Sequence, residues 1–443
     1  MTERNTESIQ FSGVKRQKVI ADFNGGRLTT DAGVLLLREV DRQIGLIDAI
    51  NEAIPDPRDP RYTTHQQREM IAQRIFSIAL GYEDLNDQQT LREDPALQVA
   101  TDKTPELDDP LASPPTLCRL ENRVDRKSLV KLMGLLVERF VAAHDEPPNE
   151  IILDFDATDD PVHGQQEQRF FQGYYRHYCF LPLYVFCGGH LLCALLRPAN
   201  IDAAKHSRAI AKLLVTRIRH AWPEVKVTLR GDSGFCRWKL MRWCEKNNVN
   251  YIFGIGRNNV LERHIAPLME EAEAGFEKTG EKQRCFSETQ YSAGTWDCER
   301  RVIMKAERLE AGPNRRFVVT NLSGDPQALY DETYTPRGDM ENRIKEQQLM
   351  LFADRTSCHD FAANQFRLLL SSFAYVLLHT LRTDHLADTE LATAQAHTIR
   401  VKILKIAASV TVSVRRVMLH LCSSCPYQSL FRMLSRSVTA SPG

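Results

Sequence analysis

Residues 151–160 read IILDFDATDD, an apolar run of strand length that closes on acids. Side chains alternate along a strand, so Asp154 and Asp156 share one face of it. A second such run, VTLRGDSGF (residues 227–235), closes at Asp232, and a third acid, Glu341, lies in the helical segment YTPRGDMENRIKE (residues 334–346). Brought to one sheet edge, these carboxylates would offer the oxygen ligands a hard divalent cation takes. Two Mg²⁺ ions roughly 3.5–4 Å apart can clamp the attacking and leaving oxygens of a phosphodiester. Asp156, Asp232 and Glu341 are the candidate catalytic residues and metal ligands, with Asp154 as the alternative first acid.

The strands around these acids decide the fold class. FLPLYVFC and HLLCALLR are two more apolar runs, joined by Gly188 and Gly189, a dipeptide suited to a two-residue hairpin turn. Ile210, Leu213, Leu214, Ile218 and Trp222 then recur at helical spacing, KVTLRGD forms a fourth strand, RWKLMRWCEKNN a helix and VNYIFGIG a fifth strand. Three strands with a tight hairpin, followed by helix-alternating strands, is the RNase H-like order, in which the first and fourth strands are neighbours. The expected fold is α/β. An RNase H-like core (146–258 and 317–380) is interrupted by an insertion of mixed or β character (259–316), preceded by a helical N-terminal domain (1–145) and followed by a helical C-terminal segment (381–443). Beyond Pro336 a long helix is expected, with Arg337, Glu341, Lys345 and Gln348 on one face.

A chain of 443 residues with 43% hydrophobic residues can bury two or three cores. No apolar run reaches the ~18 residues of a membrane span, and MTERNTESIQ lacks the apolar stretch of a signal peptide, so no membrane partner and a cytoplasmic location are expected. Eleven cysteines scattered through apolar segments read as reduced thiols, and the single CxxC pair, Cys422 and Cys425, falls short of four zinc ligands. The net charge of zero hides a regional imbalance. Residues 201–265 carry thirteen Lys/Arg against five Asp/Glu, and residues 83–110 carry two against nine. The basic block could neutralise phosphates or be a solvated helix face.

The motifs together resemble the DDE transposases of bacterial insertion sequences, in particular the group with a Tyr-x2-Arg-x3-Glu signature, matched by Tyr334, Arg337 and Glu341. GYEDLNDQQTLREDP, PPTLCRLEN, DFDATDDPVHG, GYYRHYCFLPLYVF, LRGDSGFC, MENRIKE and CPYQSLF are similar to the thirteen-eighty family and span nearly the whole chain. In the wider group a lysine often follows the glutamate by seven positions; Gln348 stands there, and Lys345 is the candidate to replace its DNA contact. The resemblance implies a nucleoid-associated cut-and-paste enzyme whose N-terminal domain binds the inverted-repeat ends of its element. It would cleave with Mg²⁺, Mn²⁺ being a substitute, and join the freed 3′-hydroxyl to target DNA, with two protomers holding the two ends. Tyr334, Arg337, Lys345, Trp296 and Arg230 are the expected DNA contacts; Trp296 is either a stacking surface for an unpaired base or a core or hairpin tryptophan. Tyr174, Tyr175, Arg176 and His177 could touch DNA beside the site, or the two tyrosines could pack beneath the hairpin.

Two other classes fit parts of the pattern. DFDAT matches the DxDxT of aspartyl-phosphate phosphohydrolases, where Asp154 would be the nucleophile and Asp156 the acid/base. A domesticated or inactive relic would keep DNA binding without cutting.

Overall fold

The structure, a computed structural model, describes residues 8–440. Residues 1–7, most of the stretch inspected for a signal peptide, lie outside the described residues, as do 441–443. The chain divides into two compact units, Val124–Ser372 and a discontinuous one of Met1–Arg123 with Phe373–Gly443.

The Val124–Ser372 unit is mixed α/β, built on one eight-stranded sheet. Its strands are β1 (Glu150–Ala157), β2 (Leu183–Cys187), β3 (His190–Leu195), β4 (Lys226–Gly231), β5 (Asn250–Gly254), β6 (Gln283–Tyr291), β7 (Arg300–Leu309) and β8 (Gly312–Thr320). They lie in the order β6-β7-β8-β5-β4-β1-β2-β3. β1, β4 and β5 run parallel, and the remaining pairings are antiparallel. The first and fourth strands are neighbours, as their order in the sequence suggests. β2 and β3 turn through Gly188, whose φ of 56° lies in the left-handed region open to glycine.

Alternation assigns each face of this sheet a job. Ile151, Leu153 and Phe155 of β1, with Leu229 of β4 and Phe253 of β5, share a core with helices α1 (Arg126–Ala142), α2 (Ser207–Ala221), α3 (Trp238–Lys246) and α4 (Asn259–Thr279). Leu214 of α2 is one of these anchors, 2% exposed, and its truncation to alanine should cost about 2–5 kcal/mol. The intervening residues of β1, Asp154 and Asp156, face the other side. There Ile252, Ile303 and Val318 pack with Tyr330.

Three local differences from expectation have physical causes. Residues 259–316 have the expected mixed character, one helix and strands, but the strands extend the main sheet, because β8 pairs with β5 and carries β7 and β6 outward. Residues 160–180 form a small three-stranded sheet of Asp160–Pro161, Phe170–Gln172 and His177–Phe180 between β1 and β2. The helix expected beyond Pro336 begins at Pro326, where the Asp325 carboxylate accepts the Ala328 N–H at 2.9 Å. It then passes through a π turn (Leu329–Tyr334), a 3₁₀ turn (Thr335–Arg337), the α-helix α5 (Gly338–Lys345) and a second π turn (Glu346–Met350). Pro336 donates no backbone hydrogen bond and crowds the preceding turn, so the helix cannot stay regular across it.

The next helix, α6 (Phe361–Thr380), carries the chain from one unit to the other. Its extension to His385 is long and apolar enough to cross a membrane, contrary to the sequence reading, but 83% of that apolar window is buried inside the protein, as in a core helix.

The discontinuous unit joins both ends of the chain. Its helices Val34–Ile44, Leu46–Ala53 and Gln67–Leu80 bury aliphatic stripes. The expected C-terminal helical segment instead contains a hairpin, Ala408–Ser413 with Arg416–Leu421, whose first strand also pairs with Leu28–Thr29. The β-branched alternation of ASVTVS favours a strand. Among the described residues after it, only Gln428–Thr439 is a long helix, anchored by Leu434 and Val438. A second hairpin, Ile9–Val14 with Gln17–Ala21, precedes the expected N-terminal helices.

Candidate active site

β1 and β4 run parallel and side by side, so Asp156 and Asp232 emerge from neighbouring carboxyl ends. The Asp156 Oδ1 accepts the Ala157 N–H at 2.8 Å. Asp232 caps the 3₁₀ turn Ser233–Phe235, its Oδ1 accepting the Gly234 N–H at 2.8 Å. Glu341 enters from the first turn of α5, where its Oε1 accepts from Arg337 Nη2 at 2.8 Å. The other terminal nitrogen of Arg337 stands 3.6 Å from Asp156 Oδ2. Burial, then the Asp232 charge, and more weakly Glu341, push Asp156 up to about 7, against the pull of Arg337 and the Ala157 N–H. The three acids form one electrostatic cluster, and Arg337 bridges two of them.

Asp154 has a different environment. Arg230 lies opposite it on β4 and grips both its oxygens, Nη2 reaching Oδ2 at 2.7 Å while Nε reaches Oδ1. The third arm of that guanidinium donates to the Thr333 carbonyl at 2.6 Å. Both side chains are buried, and burial raises the Asp154 carboxyl above the usual range against Arg230. Arg230, expected at the DNA, is therefore an internal residue, because the register of β4 turns it toward Asp154. The phosphohydrolase reading needs Asp154 as an open nucleophile, and a buried carboxylate with both oxygens held cannot serve.

The remaining expected contacts divide. The Tyr334 hydroxyl passes so near the end of β5 that a Cβ on Gly254 would meet it at 2.6 Å. Burial raises this phenol, Asp232 adds to the shift and Arg337 opposes it, so the ring lies within the field of the cluster. Lys345 is exposed on α5. Gln348 donates to the Asp159 carbonyl at 2.9 Å, tying the turn after α5 to the loop that leaves β1. Trp296 packs edge-on against Tyr291, with ring centroids 5.4 Å apart, and lies beneath the Arg300 guanidinium. With Ser233, the residue after Asp232, and with Trp238 and Ile255 it lines a cleft of about 480 Å³.

Sequence reasoning left Tyr175 undecided and did not single out Gly254. Tyr175 is pushed up to about 12 by burial and then by Asp159 and Asp156, so its hydroxyl lies near the cluster, whereas Tyr174 is 85% exposed. No periodic pattern marks either role; both depend on chain segments far apart in sequence.

The three acids offer the all-oxygen donor chemistry that a hard divalent cation takes, and Asp156 is raised by its neighbours, but their oxygens do not all lie within 4.8 Å of one another, as those of exposed Glu167, His359 and Asp360 do. A family model for the transposase DDE domain, group 1, matches residues 11–442. The chain belongs to this family. It is a DDE transposase, an enzyme of DNA cleavage and strand transfer. Among solved structures the transposase is similar to a piggyBac transposase synaptic complex with hairpin DNA. The identity is 10% and the TM-score 0.41, over 94% of this chain and 83% of that one. No curated protein matches the transposase.

Proposed function

We propose that Asp156, Asp232 and Glu341 are the catalytic acids of an insertion-sequence transposase of the thirteen-eighty type, built on an RNase H-like core. The observation that carries this reading is the delivery of the three acids by the neighbouring ends of β1 and β4 and by α5, with Arg337 reaching both Asp156 and Glu341. These carboxylates would hold Mg²⁺, which when bound supplies activated water and stabilises charge on the phosphodiester oxygens. The chain's own groups do the rest. Arg337 offsets like charge between Asp156 and Glu341, the Ala157 and Gly234 N–H groups orient Asp156 and Asp232, and Gln348 fixes the loop after β1.

In this reading the enzyme binds the inverted-repeat ends of its element as a dimer in the bacterial cytoplasm, cuts them, and joins the 3′-hydroxyls to target DNA. Tyr334, Arg337 and Lys345 would meet the DNA at the cut, and Trp296 would offer its cleft to an unpaired base. Cleavage of DNA carrying the repeats that flank the gene tests it, in Mg²⁺, with wild type against Asp232→Asn. Repeat-end nicks that vanish in the variant while binding persists support the proposal; cutting that survives Asp232→Asn overturns it.

A further inference from the structure

The cleft lined by Ser233 and Trp296 shares a wall with a second one. This second cleft, about 570 Å³, is lined by Lys205, His206, Arg208, Arg237, Trp238 and Lys239, and Arg237 and Trp238 line both. Its acid, Asp202, is already paired with Arg237 at 2.8 Å. Lys205, Arg208 and Lys239 are exposed, and among the described residues they make no ion pair.

The wall is braced from beneath. Arg197, 1% exposed, donates through Nη1 to the carbonyls of Ala203 at 2.9 Å and Lys205 at 2.6 Å, and through Nε to Leu181 at 2.8 Å. Its Nη2 has no hydrogen-bond partner among the described residues. A guanidinium held by carbonyls sets a fixed positive charge under the loop that carries Lys205. The amino end of α2, fifteen residues long, adds its positive dipole at the same place. Lys205, Arg208, Arg237 and Lys239 stand against one acid, Asp202, which is paired with Arg237, around a concave surface with an indole on its wall.

We infer that this second cleft is a track for a single DNA strand continuing from the scissile phosphate, its phosphates at Lys205, Arg208 and Lys239 and a nucleotide against Trp238. The track rests on the proposed reading of Asp156, Asp232 and Glu341 as the cutting site, and it names the part of the substrate beyond that site. A cationic groove with an aromatic wall is the usual solution for an unpaired strand.

The test measures binding alone, in an Asp232→Asn background, using repeat-end DNA that either stops at the cut position or continues as a single strand. Lys205→Ala/Arg208→Ala is compared with Lys127→Ala/Lys131→Ala, an exposed pair on α1 of the same unit. The first pair should lose affinity about tenfold for the extended DNA only, with the salt slope smaller by about 1.4, from about 0.7 per single-strand phosphate contact. The α1 pair should bind both DNAs as the background does. Equal losses on both DNAs, or a response matching the α1 pair, would overturn the track while leaving the cutting site intact. Cutting that survives Asp232→Asn would instead remove the site on which the track depends.

Discussion

Asp154 and Arg230 face each other across the parallel pair β1 and β4 and close a two-pronged, buried ion pair. Two residues further on, Asp156 stands in a cluster of like charge. The same face of one strand thus carries an acid that holds the sheet together and an acid available for chemistry.

Asp154→Asn should lower unfolding free energy by about 3–5 kcal/mol, the usual penalty for stranding one member of a buried pair. Asp156→Asn should leave stability equal or higher, since it removes charge repulsion, yet abolish cleavage. Urea melts and repeat-end cleavage on the two variants separate the roles, and an Asp154→Asn protein that melts like wild type would remove the structural assignment.

Gly254→Ala puts a methyl where the Tyr334 hydroxyl lies, 2.6 Å away by the geometry of the glycine. Displacing that ring beside Asp232 should slow cleavage by about 100-fold, the scale of a ~1 Å misplacement. Tyr334→Phe removes the hydroxyl that clashes but not the Ser233 N at 3.0 Å or the Asp232 carbonyl carbon at 3.4 Å, so Gly254→Ala should cost less in that background than in wild type without becoming neutral. Single-turnover cleavage on the four proteins gives the coupling; independent, additive losses would show that the contact does not matter.

Divalent metal should stabilise the enzyme without DNA. Saturating Mg²⁺ at a hundred times its Kd would add about 2.7 kcal/mol, read as a rise in the melting temperature of the Val124–Ser372 unit. Asp156→Asn and Asp232→Asn should abolish the rise. Arg337→Ala, which removes the cation bridging Asp156 and Glu341, should make it larger. A metal response unchanged in all three variants would place the ion elsewhere.

In the discontinuous unit, burial raises Asp41 from its ordinary 3.8 to about 6, although the Ile47 N–H donates to it at 2.8 Å. Because the folded value lies above the unfolded one, the neutral acid is favoured in the fold. The group contributes nothing adverse below about pH 4 and destabilises progressively up to about pH 6, by about 3 kcal/mol at most. Asp41→Asn, which can still accept the Ile47 N–H, should be more stable than wild type at pH 7 and equal to it near pH 4. Denaturant melts across that range check the sign; a constant difference between the two proteins would be incompatible with it.

Much of the sheet is legible because its cues are local. The apolar run 151–155, the Gly188-Gly189 turn and the period-two pattern of β4 each specify a strand from within a few residues. The spacing of Arg337 and Glu341 likewise places them one turn apart, and the structure closes that contact. What escapes depends on register between distant segments. Arg230 looks like a surface cation until β4 is aligned with β1, and Gly254 looks like a strand end until Tyr334 arrives from residues eighty positions later. The strands of residues 160–180 are too short, and Ala408–Ser413 too polar on one face, to stand out beside stronger helical patterns.

The pairing of Ala408 with Thr29, the 2.6 Å contact of Lys405 with Asp31 and the hydrogen bond from Gln43 to the Val438 carbonyl tie the last stretch of the chain to its beginning. During synthesis the carboxylate-bearing unit, complete by Ser372, can leave the ribosome and fold while the earlier helices still wait for their partners. Nascent chains stopped short of residue 408 would carry all three acids but lack the strand that closes the other unit, so finishing translation is itself a condition for assembling the whole molecule.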